Sequence, residues 1–197
     1  MGAPFVGLTG GLGAGKSTAL EMLASLGAAV LSSDAVVHEL YATDAVRDAV
    51  LARFGAEVFD ADGAVDRAAL ARRAFATEEG RAWLKALLWP LVAERVAAFR
   101  AEMALRRPPP PAIVVEVPLL FEAASESRYD ATIAVVADDE LRARRVAARE
   151  VAELARRERR QLPQPEKARR ADYVIVNDGT LEALREQLTG VLAKLSG

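Results

Sequence analysis

The sequence contains no cysteine and only one histidine, His38, among its 197 residues. Without cysteine the chain has no disulfide framework, no thiolate metal site and no thiol nucleophile, which fits a reducing cytosol. Residues 1–6 lack the basic stretch that opens a secretion signal, and no apolar run is long enough to span a bilayer. We therefore expect a cytoplasmic protein with no membrane partner.

Excess charge of either sign is also missing, since 26 basic and 28 acidic side chains leave a formal net charge of -2 at pH 7. Bulk electrostatics therefore give no reason to expect nucleic acid as a partner. The composition is typical of a globular protein, and the length suits a doubly wound α/β unit with one inserted subdomain. For the assembly state we expect a monomer or a weak homo-oligomer.

Short apolar runs alternate with helical patterns along most of the chain. Strand, helix and strand in this order are typical of the opening of a parallel sheet. Five apolar runs predict β-strands, at residues 5–9, 28–31, 112–117, 131–137 and 173–176.

The middle of the chain, residues 63–106, carries helical patterns without strand patterns. Asp66 and Thr77 are predicted to be the N-cap residues of two helices, because their side-chain oxygens can accept hydrogen bonds from unpaired backbone N–H groups. The second helix is predicted to break at Trp89 and Pro90, since proline disfavours the helical conformation in the residue before it. We interpret this stretch as a helical insertion into a sheet domain.

Residues 10–17, with the sequence GGLGAGKS, match the phosphate-binding loop pattern and lie between a predicted strand and a predicted helix. Glycines allow successive backbone N–H groups to turn towards phosphate oxygens, and the following helix adds its positive dipole end. Lys16 is expected to reach the β- and γ-phosphates of ATP, and the Ser17 hydroxyl to bind Mg²⁺. The ATP-binding residues predicted from this loop are Gly11, Leu12, Gly13, Ala14, Gly15, Lys16, Ser17 and Thr18.

The loop and the strand pattern together predict an α/β fold of the P-loop NTPase class. We expect a three-layer αβα fold with a five-stranded parallel sheet, a helical substrate-binding insertion and a short lid. The predicted nucleotide-binding core covers residues 1–62 and 107–197, including a lid at about 141–162, and the predicted insertion covers residues 63–106.

Two carboxylates suit the further needs of a kinase that acts on a small molecule. Asp34 follows the second predicted strand, whose carboxyl end shares a sheet edge with the phosphate loop, so it can accept the proton of an acceptor hydroxyl or position that hydroxyl. A helix N-cap is the alternative role for Asp34. Glu116 interrupts an apolar strand, where a buried carboxylate needs a cation or hydrogen-bond donors. Water bound to Mg²⁺ is one such partner, and an arginine is the alternative.

Arginine is dense in one predicted helical region. Most of these side chains are expected to be solvated beside nearby glutamates, while one or two can form a lid, because a guanidinium binds phosphate oxygens through its planar fork. The arginines of this region are Arg142, Arg144, Arg145, Arg149, Arg156, Arg157, Arg159 and Arg160.

Several of these blocks, in order, resemble the bacterial dephospho-CoA kinase family along nearly the whole chain. The segment LTGGLGAGKST at residues 8–18 is similar to the phosphate loop of the family, and residues 115–122, VEVPLLFE, are similar to its most distinctive motif. Residues 32–34, SSD, followed by HEL at residues 38–40, resemble its D-A-D and H-E-L segment. Arg145 and Arg149 stand where the family has its lid arginines.

The resemblance implies that ATP phosphorylates the ribose 3′-hydroxyl of dephospho-CoA, the last step of coenzyme A synthesis, with Mg²⁺ as cofactor. It implies catalytic roles for Lys16, Asp34 and Arg149, and Asn177 and Gly179 near the adenine of ATP. Glu116 and Ser17 would serve the metal. The residues implied to bind the acceptor, together with the helical insertion, are Asp34, His38, Leu119, Leu120, Phe121 and Glu122.

Three positions depart from the pattern of the family. Ser32 replaces the first aspartate of the D-A-D segment, and Trp89 stands where the family usually has histidine. The segment at residues 150–161 is about three residues shorter than is usual in the family.

Three other functions are compatible with a phosphate loop. A regulatory GTPase is disfavoured, because residues 60–63, DADG, fit its loose D-x-x-G pattern but no N-K-x-D segment follows. A nucleoside or nucleotide kinase of the same fold, and a noncatalytic ATP-binding regulator, both remain open. Turnover of dephospho-CoA against nucleoside monophosphates separates these possibilities.

Overall fold

The computed structural model describes residues 2–147 and 161–196. Its strands, within these residues, are β1 (Phe5–Gly10), β2 (Ala29–Ser32), β3 (Ile113–Glu116), β4 (Ala131–Val136) and β5 (Tyr173–Val176). All of them pair in parallel, in the spatial order β2-β3-β1-β4-β5. The five-stranded parallel sheet predicted from the apolar runs is therefore confirmed, with every strand boundary within one residue.

Eight α-helices are present in the described residues. They are α1 (Lys16–Ser25), α2 (Ser33–Leu40), α3 (Asp44–Phe54), α4 (Arg67–Ala74), α5 (Glu78–Ala104), α6 (Asp139–Ala147), α7 (Gln164–Arg170) and α8 (Leu181–Ser196). Single turns of 3-10 helix lie at Ala56–Val58 and Glu126–Arg128. None of the helices in the described ranges is both long enough and apolar enough to cross a membrane.

The central strand β1 shows how the layers form, because successive side chains of a strand point to opposite faces of the sheet. Val6 and Leu8 are fully buried in a core shared with apolar residues of α1 and α8. Gly7 and Thr9 face the other way, where Thr9 meets α7 and Gly7 leaves room for Tyr129. Helices therefore cover both faces, and the three-layer α/β fold is confirmed.

The contacts divide the chain into two compact units, Met1–Ser32 with Arg100–Gly197, and Ser33–Phe99. The first unit contains the sheet. The second is helical and has its own core, to which α3 contributes Val46, Val50 and Phe54. Residues 33–62 thus lie in the helical unit, and the division into a nucleotide-binding core at residues 1–62 and 107–197 and an acceptor-binding insertion at residues 63–106 remains a prediction.

The predicted helix break at Trp89 and Pro90 was wrong, because α5 runs without interruption through both residues. Proline inside a helix lacks the N–H that would bond the carbonyl four residues earlier. Both Trp89 and Pro90 are exposed, and so is Ala86, whose carbonyl loses this bond. Water can satisfy that carbonyl, so the helix continues.

Helix α4 begins at the predicted N-cap residue. One carboxylate oxygen of Asp66 accepts hydrogen bonds from Ala68 N at 2.9 Å and Ala69 N at 3.1 Å. Thr77 acts in the same way on α5, since Gly80 N donates to its hydroxyl at 3.0 Å. Both N-cap predictions are confirmed.

Asp66→Ala should lower the free energy of unfolding by about 1 kcal/mol, because it leaves two N–H groups of α4 without their acceptor. Urea unfolding of both proteins measures the difference. Asp66→Asn is the control, since asparagine caps helices about as well as aspartate, and it should match the wild-type protein. Equal stability of the alanine variant would contradict the capping role.

Candidate active site

The phosphate loop lies between the end of β1 and the start of α1. Gly15 has φ 91°, a conformation that favours glycine, and a Cβ atom there would lie 2.1 Å from the side-chain nitrogen of Asn177. A Cβ at Gly10 would lie 2.3 Å from the Val135 carbonyl oxygen. Glycine is therefore required at positions 10 and 15 by close packing against neighbouring backbone and side chains.

Three side chains from outside the loop bind its successive carbonyl groups. Arg142 Nε donates to Leu12 O at 2.8 Å, and Arg145 Nη1 donates to Gly13 O at 3.3 Å. The buried amide of Asn177 donates to Ala14 O at 2.9 Å. These bonds hold the carbonyls away from the inside of the loop, while the first turn of α1 has backbone N–H groups with no partner within the helix. Such N–H groups bind anions such as phosphate.

Lys16 lies at the start of α1 and folds back over the loop. Its ammonium group donates to Gly10 O at 3.1 Å and to Gly11 O at 3.0 Å. Ser17, the next residue, is exposed, and Thr18 is half-buried. The structure thus brings the predicted residues 11–18 together as one loop and helix start, which suits a triphosphate.

Gln164, the first residue of α7, supports the loop from a distant part of the chain. Its amide bonds both backbone groups of Ala137, accepting from N at 3.0 Å and donating to O at 2.8 Å. A Cβ at Gly11 would lie 2.8 Å from Gln164 Cγ, so the glutamine stem packs directly on the loop. No sequence pattern pointed to this residue, because the contact joins segments more than 150 residues apart in the chain.

Glu116 ends β3 and is buried, with 6% of its surface exposed. It lies beside Leu8 of β1 and Ser32 of β2 in the sheet register. The Ser32 hydroxyl donates to Glu116 Oε2 at 2.9 Å. Ser32, which replaces an aspartate of the family pattern, therefore supplies a donor to this carboxylate where an aspartate would add a second negative charge.

The segment after β3 holds four of the residues predicted to bind the acceptor, at positions 119–122. Leu120 and Phe121 are buried, with 0% and 3% exposed, and Leu119 is half-buried. The Glu122 carboxylate forms an ion pair with the buried ammonium group of Lys167, at 3.0 Å. Leu120, Phe121 and Glu122 therefore contribute to the packing of the sheet unit itself.

Burial lowers the pKa of Lys167, and the hydrogen bond and charge of Glu122 partly offset this effect. The residue is 0% exposed, and its ammonium also donates to Pro118 O at 2.7 Å. A buried charge is costly unless it is paired and hydrogen-bonded. Lys167 is therefore a buried part of the structure of the sheet unit.

The remaining predicted site residues are spread over other parts of the chain. Asp34 and His38 are exposed on α2, in the helical unit, and His38 Nδ1 lies 3.2 Å from Arg67 Nη1. Asp34 lies within the first turn of α2, and its side chain makes no hydrogen bond with the described residues. Gly179 is exposed between β5 and α8. Arg149 and most of the predicted lid lie outside the described residues.

The described residues offer few side chains that are placed to bind a metal ion together. In residues 2–147 and 161–196, no three His, Cys, Asp or Glu side chains lie close enough together to hold an ion. Mg²⁺ in kinases needs no such cluster, because it keeps several waters and binds one or two carboxylates with the substrate phosphates. A hydroxyl at Ser17 and a buried carboxylate at Glu116 fit this kind of site.

Comparison with known proteins identifies the family. The family model described as dephospho-CoA kinase matches residues 4–183. A dephospho-CoA kinase of Syntrophotalea carbinolica is 39% identical over 194 residues, covering 96% of this chain and 91% of the relative. The chain belongs to the dephospho-CoA kinase family. A relative of the same name from Moorella thermoacetica is 40% identical over 195 residues, with the same coverage of 96% and 91%.

Solved structures agree with the fold of a dephospho-CoA kinase. A crystal structure of a Thermus thermophilus protein is 36% identical, with a TM-score of 0.83 and full coverage of both chains. A dephospho-CoA kinase from Campylobacter jejuni has a TM-score of 0.66 at 21% identity, with 98% of each chain covered. The family resemblance drawn from the motifs is therefore confirmed over almost the whole chain.

Proposed function

We propose that this chain transfers the γ-phosphoryl group of ATP to the ribose 3′-hydroxyl of dephospho-CoA, giving coenzyme A and ADP. The observation that carries the proposal is the match to the dephospho-CoA kinase family over residues 4–183, within which the phosphate loop is intact. Cytoplasmic location and a monomeric or weakly associated state remain parts of the same proposal.

ATP would bind with its phosphates in the loop between β1 and α1. The N–H groups at the start of α1 and the ammonium of Lys16 would hold the β- and γ-phosphate oxygens. Ser17 and Glu116 would hold Mg²⁺, which neutralises the charge of these oxygens when it is bound. Because Lys16 now bonds two loop carbonyls, at 3.1 and 3.0 Å, it can turn to phosphate by exchanging one acceptor for another. Asn177 and Gly179 would lie near the adenine.

Asp34 would take the proton of the ribose hydroxyl or hold that hydroxyl in line with the γ-phosphorus. The carboxylate suits this role because it is exposed and makes no hydrogen bond with the described residues. Arg149 would stabilise charge on the transferring group, and closure of the lid would exclude water. Transfer would be direct and in line, without a phosphoenzyme. His38 and the segment at residues 119–122 would help to bind the acceptor.

The wild-type protein should convert dephospho-CoA to coenzyme A when it is incubated with ATP and MgCl₂. Mass spectrometry should show one added phosphate, on the ribose bearing the 3′-hydroxyl, with one ADP formed for each product molecule. AMP, CMP and adenosine are the comparison acceptors, and their kcat/KM should be at least about 100-fold lower, since they lack the pantetheine arm that contributes binding energy.

Two outcomes of this assay would reject the proposal. Equal or faster phosphorylation of a nucleoside monophosphate would assign the chain to a nucleotide kinase activity. ATP binding without ADP release with any acceptor would instead indicate a noncatalytic ATP-binding regulator.

A further inference from the structure

Helix α7 presents three polar side chains on one face, at the spacing i, i+3 and i+6. Gln164 contacts the phosphate loop at Gly11 and bonds the backbone of Ala137. Lys167, one turn later, reaches the segment that follows β3. Arg170, a further turn on, pairs with Glu126 and lies 4.8 Å from the centre of the Phe121 ring. One helix therefore contacts both the phosphate loop and the segment after β3.

Lys167 is the central member of this line and the one that is fully buried. Its ammonium contacts three oxygens, at 2.7 Å on Pro118 O, 3.0 Å on Glu122 Oε1 and 3.5 Å on Thr9 Oγ1. Thr9 is the residue of β1 just before the phosphate loop. The lysine thus joins the end of the central strand to both ends of the segment from Pro118 to Glu122.

Glu122 connects Lys167 to Leu162, which lies just before α7. Its Oε1 atom, besides pairing with Lys167, accepts a hydrogen bond from Leu162 N at 2.7 Å. Its Oε2 atom is buried and has no hydrogen-bond partner among the described residues. Among the described residues, the carboxylate is thus hydrogen-bonded only at Oε1, by Lys167 and by the Leu162 N–H. The position of Glu122 therefore depends on both of these donors.

We propose that Lys167 is a positioning residue that sets the place of the Pro118–Glu122 segment relative to the phosphate loop. A segment held at both ends by one buried cation cannot shift without breaking a charge-assisted hydrogen bond. Because Lys167 is fully buried, it would act on the acceptor only through the segment. The inference rests on the proposed function only for the identity of the acceptor, dephospho-CoA.

Removal of Lys167 should lower kcat/KM for the acceptor and leave ATP binding almost unchanged. The phosphate loop keeps its own supports in Arg142, Arg145 and Asn177, whose bonds to it do not involve the lysine. The segment after β3 would shift, and a displacement of about 1 Å in a positioning element can cost about 100-fold in rate. We expect kcat/KM for dephospho-CoA to fall about 100-fold and the Kd for ATP to change less than about twofold.

The experiment replaces both members of the ion pair with neutral side chains, because Lys167→Met alone leaves the Glu122 charge buried and can prevent folding. The double variant Lys167→Met with Glu122→Gln removes both charges at once. Arg169→Met is the matched control, since Arg169 lies on the same helix but is exposed and pairs only with Glu166 among the described residues. All three proteins are compared in melting temperature, ATP binding and steady-state kinetics.

Hydrogen exchange gives a readout that does not require the acceptor. Backbone bonds from Leu120 N, Ala123 N and Ser125 N hold the segment together, at 3.2, 3.0 and 3.1 Å. In the double variant these amides should exchange at least about tenfold faster, whereas exchange in the phosphate loop should not change. The Arg169→Met control should match the wild-type protein at every amide and in its kinetics.

The possible outcomes separate this inference from the proposed function. If wild-type protein forms no coenzyme A, the proposed function fails, and the exchange data alone decide the role of Lys167. If the double variant melts at the wild-type temperature, exchanges like the wild type in this segment and keeps its kcat/KM, Lys167 has no positioning role. Equal losses in ATP affinity and in acceptor turnover would also overturn the inference, because they would indicate a general structural defect.

Discussion

Lys16→Ala should lower kcat for phosphoryl transfer at least about 1,000-fold, because it removes the cation that stabilises charge on the transferring phosphoryl group. In the structure the ammonium lies over the loop, bonded to the carbonyls of Gly10 and Gly11. No other lysine of the described residues bonds to the carbonyls of this loop, so the chain offers no evident substitute. The rate of ADP formation with dephospho-CoA present measures the effect.

The fold should survive this substitution, since Arg142, Arg145 and Asn177 hold the loop through bonds that do not involve Lys16. Circular dichroism and the melting temperature should therefore stay close to wild type. Lys194→Ala, which removes an exposed lysine from α8, is the control and should keep full activity. Wild-type turnover in a folded Lys16→Ala protein would refute the assignment of the phosphate loop.

The sheet could be predicted from the sequence because all its strands are apolar and the inner ones, β1, β3 and β4, are buried on both faces. Parallel strands of this kind appear as continuous apolar runs, and the five runs of this chain located every strand to within one residue. Glu116 stood out for the same reason, as a carboxylate at the end of the apolar strand β3. Local patterns were sufficient wherever burial alone decides the residue type.

The supports of the site could not be predicted, because they join residues far apart in the chain. Gln164 packs on Gly11, and Lys167 reaches Thr9, across separations of more than 150 residues. A glutamine and a lysine on a short helix are typical of a solvated face, and only the folded sheet shows that the lysine is buried. Asn177 was predicted from the family pattern to lie near adenine, and the structure adds its bond to the phosphate loop.

At Pro90 a local sequence rule gave a wrong prediction, because it predicted a helix break that the structure does not have. Proline usually ends a helix, but α5 continues because the carbonyl freed at Ala86 is on an exposed residue. The packing of Leu84 and Leu88 in the core of the helical unit favours the continuous helix. Tertiary packing therefore outweighed a cost that the sequence alone suggested.

Asp34→Asn should lower kcat for transfer to dephospho-CoA about 100- to 10,000-fold, the range that loss of a general base or an orienting carboxylate produces. Asparagine has nearly the same shape but cannot take a proton from the ribose hydroxyl. ATP binding should not change, since none of the bonds that hold the phosphate loop involves Asp34. Isothermal titration with ATP and steady-state kinetics with dephospho-CoA measure the two effects separately.

The pH dependence of the remaining activity and the size of the loss in kcat distinguish the two roles proposed for this carboxylate. If Asp34 removes the proton, the remaining activity of Asp34→Asn should rise with pH, because hydroxide then replaces the missing base. If Asp34 only orients the hydroxyl, the amide oxygen can still accept its hydrogen bond, and the loss should lie near the lower end of the range. Asp48→Asn, an exposed aspartate of α3 in the same helical unit, is the control and should be fully active. Wild-type kcat in Asp34→Asn would exclude both roles, and the group that meets the hydroxyl would then have to be sought elsewhere.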